Sequence, residues 1–507
     1  MVGIVAERGY VTKDLPFLDN DTRDVITSIL SVTQNYWDFS ERLSKRTKEL
    51  YIAPDLVYLS LYHSSRLVNS NAIRRTMDVH PDLPIIYPFF LSGSNTYNED
   101  VEVIEDIIGL TQNPAIRFYM LMRLYRVSDI GSPEEEKVKN RIEDFLAENR
   151  ELRLHSADYL GHTGFRLKSL GQIDDSYEYL TQALELARES GDKWHQATLL
   201  TLIAEVTSQY RKTPDSYAIA RKYLGEALEI CKSINDRAGV GTILTNMSVF
   251  AVSRAELGEA IDCQLEAALI GGELGSLDSV KVYNLSMYYA HVGDGKNSLE
   301  WAKTIAELDY DIGPYQHMAL ASAYTALGKF KEAEQHLDIS KELTLRQGLE
   351  AALGQWYQMS GRLERKREDF ESAMDNYLRA LDIHERLDRQ VRLRFCLMDL
   401  AEVEVEMFSP TRNNRDDEHS GPWMKRYQEE IGKNDIPGHY AYLLFLKSEL
   451  RMKQGRHEEG EDLLDSVIEL TNRNATRFLH KTAVDTKSKW VEEGVLPLDA
   501  TARPRNR

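Results

Sequence analysis

Two asparagines stand where good helix formers are expected. Asn246 sits inside the apolar run GVGTILTNMSVF, and Asn284 inside VKVYNLSMYYAH. Asparagine is a mediocre helix former, because its side chain competes for backbone hydrogen bonds. What it offers instead is an amide with both a donor and an acceptor, which matches the C=O and N–H of another chain's backbone. Nearby on the same helical patterns are Thr242, Ser253 and His291, and Tyr283 adjoins Asn284. One such contact nets only about 1 kcal/mol, so recognition would need several acting together. The bland alternative is that both amides face solvent or each other.

A second group is basic. The stretch GRLERKRED, residues 361–369, carries Arg362, Arg365, Lys366 and Arg367. Arg362 and Lys366 are four apart and share a helix face. They could clamp an acidic peptide or a terminal carboxylate. Basic residues also gather at helix C-termini because the helix dipole favours them there.

Motifs for catalysis are absent from the sequence. There is no GxxxxGK[ST]; the nearest approach, VGDGKNS around Lys296, lacks the first glycine and follows no strand. His384-Glu385 and His457-Glu458 lack the second histidine of a zinc-protease helix, and no GxSxG elbow occurs. The many carboxylates lie on solvated faces and define no acid–base pair. No catalytic residue, metal ligand or cofactor is therefore expected.

Bulk properties narrow the class further. The chain has 507 residues, 42% apolar and 28% charged, with a formal net charge of −19 and a pI near 5.3. A broad nucleic-acid surface needs basic residues to displace counterions, so that balance counts against one. No apolar run of about 18 residues exists, so no membrane-spanning helix is expected. The opening MVGIVAERGYVTKDLPF shows no secretory pattern. Cys231, Cys263 and Cys396 are odd in number, far apart and set in apolar helical patterns. That spacing suits buried free thiols rather than disulfides or a zinc knuckle, and a cytoplasmic protein. Nothing in the sequence sets an oligomeric state.

The elements that must position the asparagines recur with a period. HMALASAYTALGKFKEAEQHLDISKEL, residues 317–343, reads as two helices meeting at a Gly-Lys-Phe turn. Leu320, Ala321 and Tyr324 stripe the first helix; Phe330, Ala333, Leu337 and Ser340 stripe the second. Gly328 suits the helix end, where a left-handed backbone is cheap only for glycine. The small residue opening each second helix falls at Ser176, Ala220, Ala260, Ser298, Ala333 and Ala373, giving spacings of 44, 40, 38, 35 and 40. Gly460 follows 87 later, two units with a polar insertion at residues 409–423 between them.

With these residues the chain resembles the tetratricopeptide repeat (TPR) superfamily, over about residues 114–492. The longer period is similar to that of kinesin light chains, Pins-type adaptors and the sensor arm of MalT-type regulators. The resemblance implies an all-α, right-handed α-solenoid of about eight helix pairs, with first helices lining the concave side. Three regions are expected: an N-terminal helical region at 1–112, the superhelix with a capping helix near 476–493 at 113–493, and a disordered tail at 494–507. Within 1–112, a long amphipathic helix from Asp21 and the proline-broken apolar segment HPDLPIIYPFFLSGSN stand out. Aligned on the repeat, one column reads His162, Leu202, Asn246, Asn284, Ala319, Met359, Asp399 and Leu446. In the long-repeat adaptors that column faces the groove, and its asparagines clasp an extended peptide. The implied function is a non-catalytic scaffold that binds a partner's peptide segment; the alternative is a ligand-sensing regulatory module acting on a separate effector.

Overall fold

Small side chains set how closely the helices approach, and they do so pair by pair. Ser176, Ala220, Ala260, Ser298, Ala333 and Ala373 are all fully buried. Ser298 Oγ donates to the Ser286 carbonyl at 2.8 Å, and Ser286 Oγ returns a bond to the Ser298 carbonyl at 3.0 Å. Ser176 Oγ likewise donates to the Gly164 carbonyl at 2.6 Å, and a Cβ on Gly164 would lie 2.7 Å from Leu180. Such backbones lie too close for any larger side chain.

The computed structural model describes residues 114–209, 216–274, 277–308, 313–408, 421–433 and 436–496, with 101, 104, 105, 108 and 109. The helix expected from Asp21, the proline-broken segment, residues 409–420 of the insertion and the tail from 497 lie outside the described residues. Among those described, the elements are helical and follow in pairs. They are α1 (Pro114–Val127), α2 (Pro133–Glu148), α3 (Ser156–Ser169), α4 (Ile173–Ser190), α5 (Lys193–Gln209) and α6 (Ser216–Ser233). Next come α7 (Arg237–Ser253), α8 (Leu257–Glu273), α9 (Ser279–His291), α10 (Gly295–Glu307), α11 (Pro314–Ala326) and α12 (Phe330–Arg346). The series closes with α13 (Glu350–Lys366), α14 (Phe370–Arg386), α15 (Gln390–Met407), α16 (Pro422–Ile431), α17 (Pro437–Lys453), α18 (His457–Thr471) and α19 (Arg477–Glu492). This is the all-α, TPR-like solenoid architecture that the sequence implied.

One turn chemistry joins the partners of a pair. After α11, Gly328 adopts φ 71° and the Lys329 N–H returns to the Tyr324 carbonyl at 2.9 Å. After α13 the same bond runs from Asp369 N–H to the Glu364 carbonyl at 3.0 Å, but Glu368 holds the left-handed position with φ 65°. Both are left-handed helix ends; the second carries the backbone strain that glycine avoids.

The chain divides into two compact units, one holding Ala218–Val240 with the residues before 212, the other Lys212–Tyr217 with everything from Gly241 on. In the first, a polar cluster ties α3 to α5. Arg126 pairs with Asp158 at 2.6 Å, and the His195 ring bridges Asp158 at 3.3 Å and Asp192 at 2.9 Å. Burial opposes a charged imidazole, yet hydrogen bonds to the two carboxylates outweigh it and lift the His195 pKa to about 10. Behind it, buried Arg166 pairs with Glu135 at 3.0 Å.

The second unit curls until its ends meet. Apolar clusters run from α7 to α13 and from α14 to α19. Its seam lies between α8 and the turn before α19. Arg477 donates two bonds to Asp262, at 2.8 and 2.9 Å, and Asn474 adds a third at 2.8 Å, across more than 210 residues of sequence. Two glycines permit the approach: a Cβ on Gly258 would lie 2.3 Å from the Asn474 carbonyl, and one on Gly438 2.3 Å from the Arg254 carbonyl.

Two expectations follow. Gly258→Ala should lower stability by about 1–3 kcal/mol, since backbone and not a pliable side chain blocks the methyl. Gly225→Ala, inside α6 with nothing within 4 Å of its Cβ, should instead raise it by up to about 1 kcal/mol. Urea unfolding of both variants checks the contrast; equal effects would refute the close approach. For His195, a folded-state pKa above the free value means its stabilisation is present below pH 6.5 and is lost as pH rises through about 10. NMR titration should find this ring still protonated at about pH 8; a neutral ring there would overturn the two-carboxylate bridge.

Candidate functional site

The second unit encloses a cavity of about 440 Å³. Its walls come mostly from the first helix of successive pairs, α9, α11, α13, α15 and α17, closed by α19 and by Ala255, Leu257 and Gly258 at the start of α8. Five aromatic and thioether side chains, Phe395, Met398, Tyr442, Phe445 and Phe478, form an apolar wall. Ala290 of α9 and Ser322, Thr325 and Ala326 of α11 form a small-residue wall.

Charged groups also line the cavity. Asp399 is buried in α15 and accepts from Gln358 Nε2 at 2.6 Å, Arg362 Nε at 3.1 Å and Arg362 Nη2 at 3.0 Å. Arg362 turns its remaining edge, Nη1, to His291 Nε2 at 2.7 Å. His291 Nδ1 lies 2.7 Å from the Met287 carbonyl, which can only accept. Nδ1 therefore carries the proton and Nε2 accepts from Arg362. Burial, reinforced by the Arg362 charge, drives the His291 pKa well below the usual range and keeps the ring neutral. Arg365, three positions on from Arg362, pairs with Glu402 and, at 3.6 Å, with Glu406. Lys366 is exposed at the rim, with no ion pair among the described residues.

The residues singled out from sequence separate into groups. His291, Arg362 and Lys366 line the cavity. Tyr283 lies just outside it, bonded to Gln355 Nε2 and edge-on to Tyr315 with centroids 5.7 Å apart. Asn284 is half-buried outside the cavity, and Asn246 and Thr242 are exposed on α7. Ser253 is buried and donates to the Phe250 carbonyl at 2.7 Å. Of the groove column, Met359 and Asp399 reach the cavity; Ala319 and Leu446 are buried in the core. His162, in the first unit, is a ring packed edge-on against Tyr125 at 5.3 Å, and burial lowers its pKa to about 4. The central acid, Asp399, was legible as the charged member of the groove column. The aromatic wall was not, since its members read as ordinary core.

The ionisable groups of the cavity are engaged with one another or held in one protonation state. Both nitrogens of His291 are engaged and Asp399 takes three donor contacts. Burial pushes the Cys396 thiol well above the range in which it would ionise. No group of three or more candidate metal ligands occurs among the described residues, and no helix there is long and apolar enough to cross a membrane.

No family model and no curated protein matches the chain. Similar solved structures include the yeast Tom70, at 14% identity over 94% of this chain and 97% of that one, with a TM-score of 0.38. A Rap protein complexed with Competence and Sporulation Factor is 13% identical over 67% of this chain and 99% of its own, with a TM-score of 0.39. A signal-transduction ATPase with a tetratricopeptide repeat sensor, from Pyrococcus horikoshii, is 13% identical over 88% and 73%, with a TM-score of 0.34. The TPR-like class of this chain stands on its own helix pairing.

The ion pair in the cavity yields a stability test. Asp399→Ala leaves a guanidinium half-buried without its acid and should cost about 3–5 kcal/mol. Arg362→Met with Asp399→Leu removes both charges and should recover most of that loss. Denaturant unfolding of both decides it; a cost below about 1 kcal/mol for Asp399→Ala would show that the pair holds nothing together.

Proposed function

We propose that this chain is a non-catalytic binding protein and scaffold whose second unit takes a peptide segment of a partner protein. The observation that carries this is the convergence of successive first helices on one cavity lined by both large apolar and small side chains. Its volume of about 440 Å³ falls in the range of sites that hold small ligands or anchoring side chains. Methionines in the wall adapt to irregular apolar partners. The Arg362–Asp399 pair offers fixed dipoles, and Lys366 offers a positive charge at the rim. Asn246 and Thr242 on α7, and Asn284 and Tyr283 on α9, would extend the surface along a longer partner; Ser253 is buried and would not take part. A second function, ligand sensing that controls a separate effector, draws support from the seam at Asp262 and Arg477. There an exposed ion pair, with Phe478 beside it packed on the α7–α13 cluster, joins the two ends of the unit, and a ligand that favours a different spacing of those ends would shift the balance.

A peptide array should retain ligands on the wild-type protein. Ser322→Trp, which fills the cavity from the small-residue wall, should weaken them by about a hundredfold. Asn246→Ala with Asn284→Ala should weaken them by about tenfold. Circular dichroism checks that all variants fold alike. Undiminished binding by a folded Ser322→Trp variant would move the site elsewhere.

A further inference from the structure

We infer that the second unit binds one small monovalent anion of halide size in its core, held by the Arg394 guanidinium beside the Tyr217 hydroxyl. Both residues belong to that unit, and neither lines the cavity described above.

An arginine is always charged, and its five N–H donors need acceptors. Arg394, on α15, is only 4% exposed. It forms no ion pair among the described residues. Its one hydrogen bond there is long, from Nη2 to the Tyr217 hydroxyl at 3.5 Å. Its Nε is buried without a partner. The acids that could serve it are committed elsewhere. Asp399, five positions on in α15, is held by Arg362. Glu256 is held by Arg254 at 3.0 Å. Arg254 also sets its guanidinium carbon 5.3 Å from the centre of the buried Tyr217 ring. Around this tyrosine, then, two guanidiniums are matched by one carboxylate. Burying a charge without a counter-charge is strongly unfavourable. A water molecule could accept from Nε, but it would leave the charge unmatched. An anion does both.

A second unpartnered group lies close by. His439 of α17 is fully buried against Phe395, the residue after Arg394, with ring centres 5.2 Å apart. Its Nδ1 meets the Tyr427 hydroxyl at 2.7 Å, and its Nε2 has no partner. Burial, and after it the Arg394 charge, lowers the His439 pKa to about 3, so the guanidinium is felt at this ring. When Tyr427 donates to Nδ1, Nε2 carries the ring's proton and is a further donor for an anion. Tyr217, Arg394, Tyr427 and His439 are all buried. Packing that close favours an ion of one atom over a phosphate. The ion would fasten Tyr217, where the chain leaves the second unit for Ala218, to α15.

Thermal unfolding of the full chain is compared in sodium gluconate and sodium chloride at one ionic strength, which equalises screening. Chloride should raise the midpoint by about 2–4 °C, and bromide should do the same. In Arg394→Met the difference between chloride and gluconate should vanish. Crystals grown in bromide should show anomalous scattering from an ion in hydrogen-bond contact with the Arg394 guanidinium. A chloride effect that persists in Arg394→Met is stabilisation by salt in general and overturns the site. A wild-type midpoint indifferent to the anion overturns it too, as does bromide found only on the surface. Should Arg394→Met fail to fold, the position of the bromide alone decides.

Discussion

Close approach of helix backbones is the constraint on which the rest depends. Where Ser286 and Ser298 exchange hydroxyl-to-carbonyl bonds, the two helices are locked at a distance that admits no larger residue. The same holds at Gly361, where a Cβ would sit 2.6 Å from the Tyr377 ring. An isolated pair cannot bury both of its apolar faces, so each must stack on the next. Close pairs place successive first helices near enough that long side chains reach past a neighbour. The cavity and its bridges are products of that spacing.

The inner wall shows how much a small residue can determine. Ala319 is buried with Val282, Ala302 and Ile305, Ser322 and Ala326 line the cavity, and His291 reaches Arg362 past this small-residue helix. A larger residue at Ser322 would separate α9 from α13 and fill the cavity. The bridge in turn fixes the protonation of His291, because Arg362 has only donors and Met287 offers only an acceptor. Geometry set by an alanine-rich helix thus decides the electrostatics of its neighbours.

Much of the fold was legible in the sequence, and for a physical reason. Ser176, Ala220, Ala260, Ser298, Ala333 and Ala373 recur because every pair faces the same steric demand, and periodicity makes repeated demands visible. Gly328 was readable because few residues tolerate its backbone angle. The turns at Ala255 and Glu368 adopt positive φ without glycine, and neither residue type signals it; Asn235 and Asp388 do the same with residue types that tolerate the left-handed region. The candidate site was legible only in part. The column through Met359 and Asp399 found the inner face, but contacts between helices 71 residues apart depend on how tightly the unit curls. Curvature is the sum of small rotations from every pair, and no local pattern encodes it.

A buried acid inside a chain of net charge −19 needs its own explanation. Replacing Arg362 and Asp399 by apolar residues would preserve packing at small cost in stability, as buried pairs go. What it would not preserve is orientation. Asp399 takes contacts from Gln358 and twice from Arg362, so its carboxylate cannot rotate. Arg362 in turn holds the His291 ring in place. The pair therefore presents a rigid polar surface next to methionines that can repack. Under the proposed binding function, the rigid polar part would fix the register of a bound chain, while the adaptable apolar wall would accept more than one side chain.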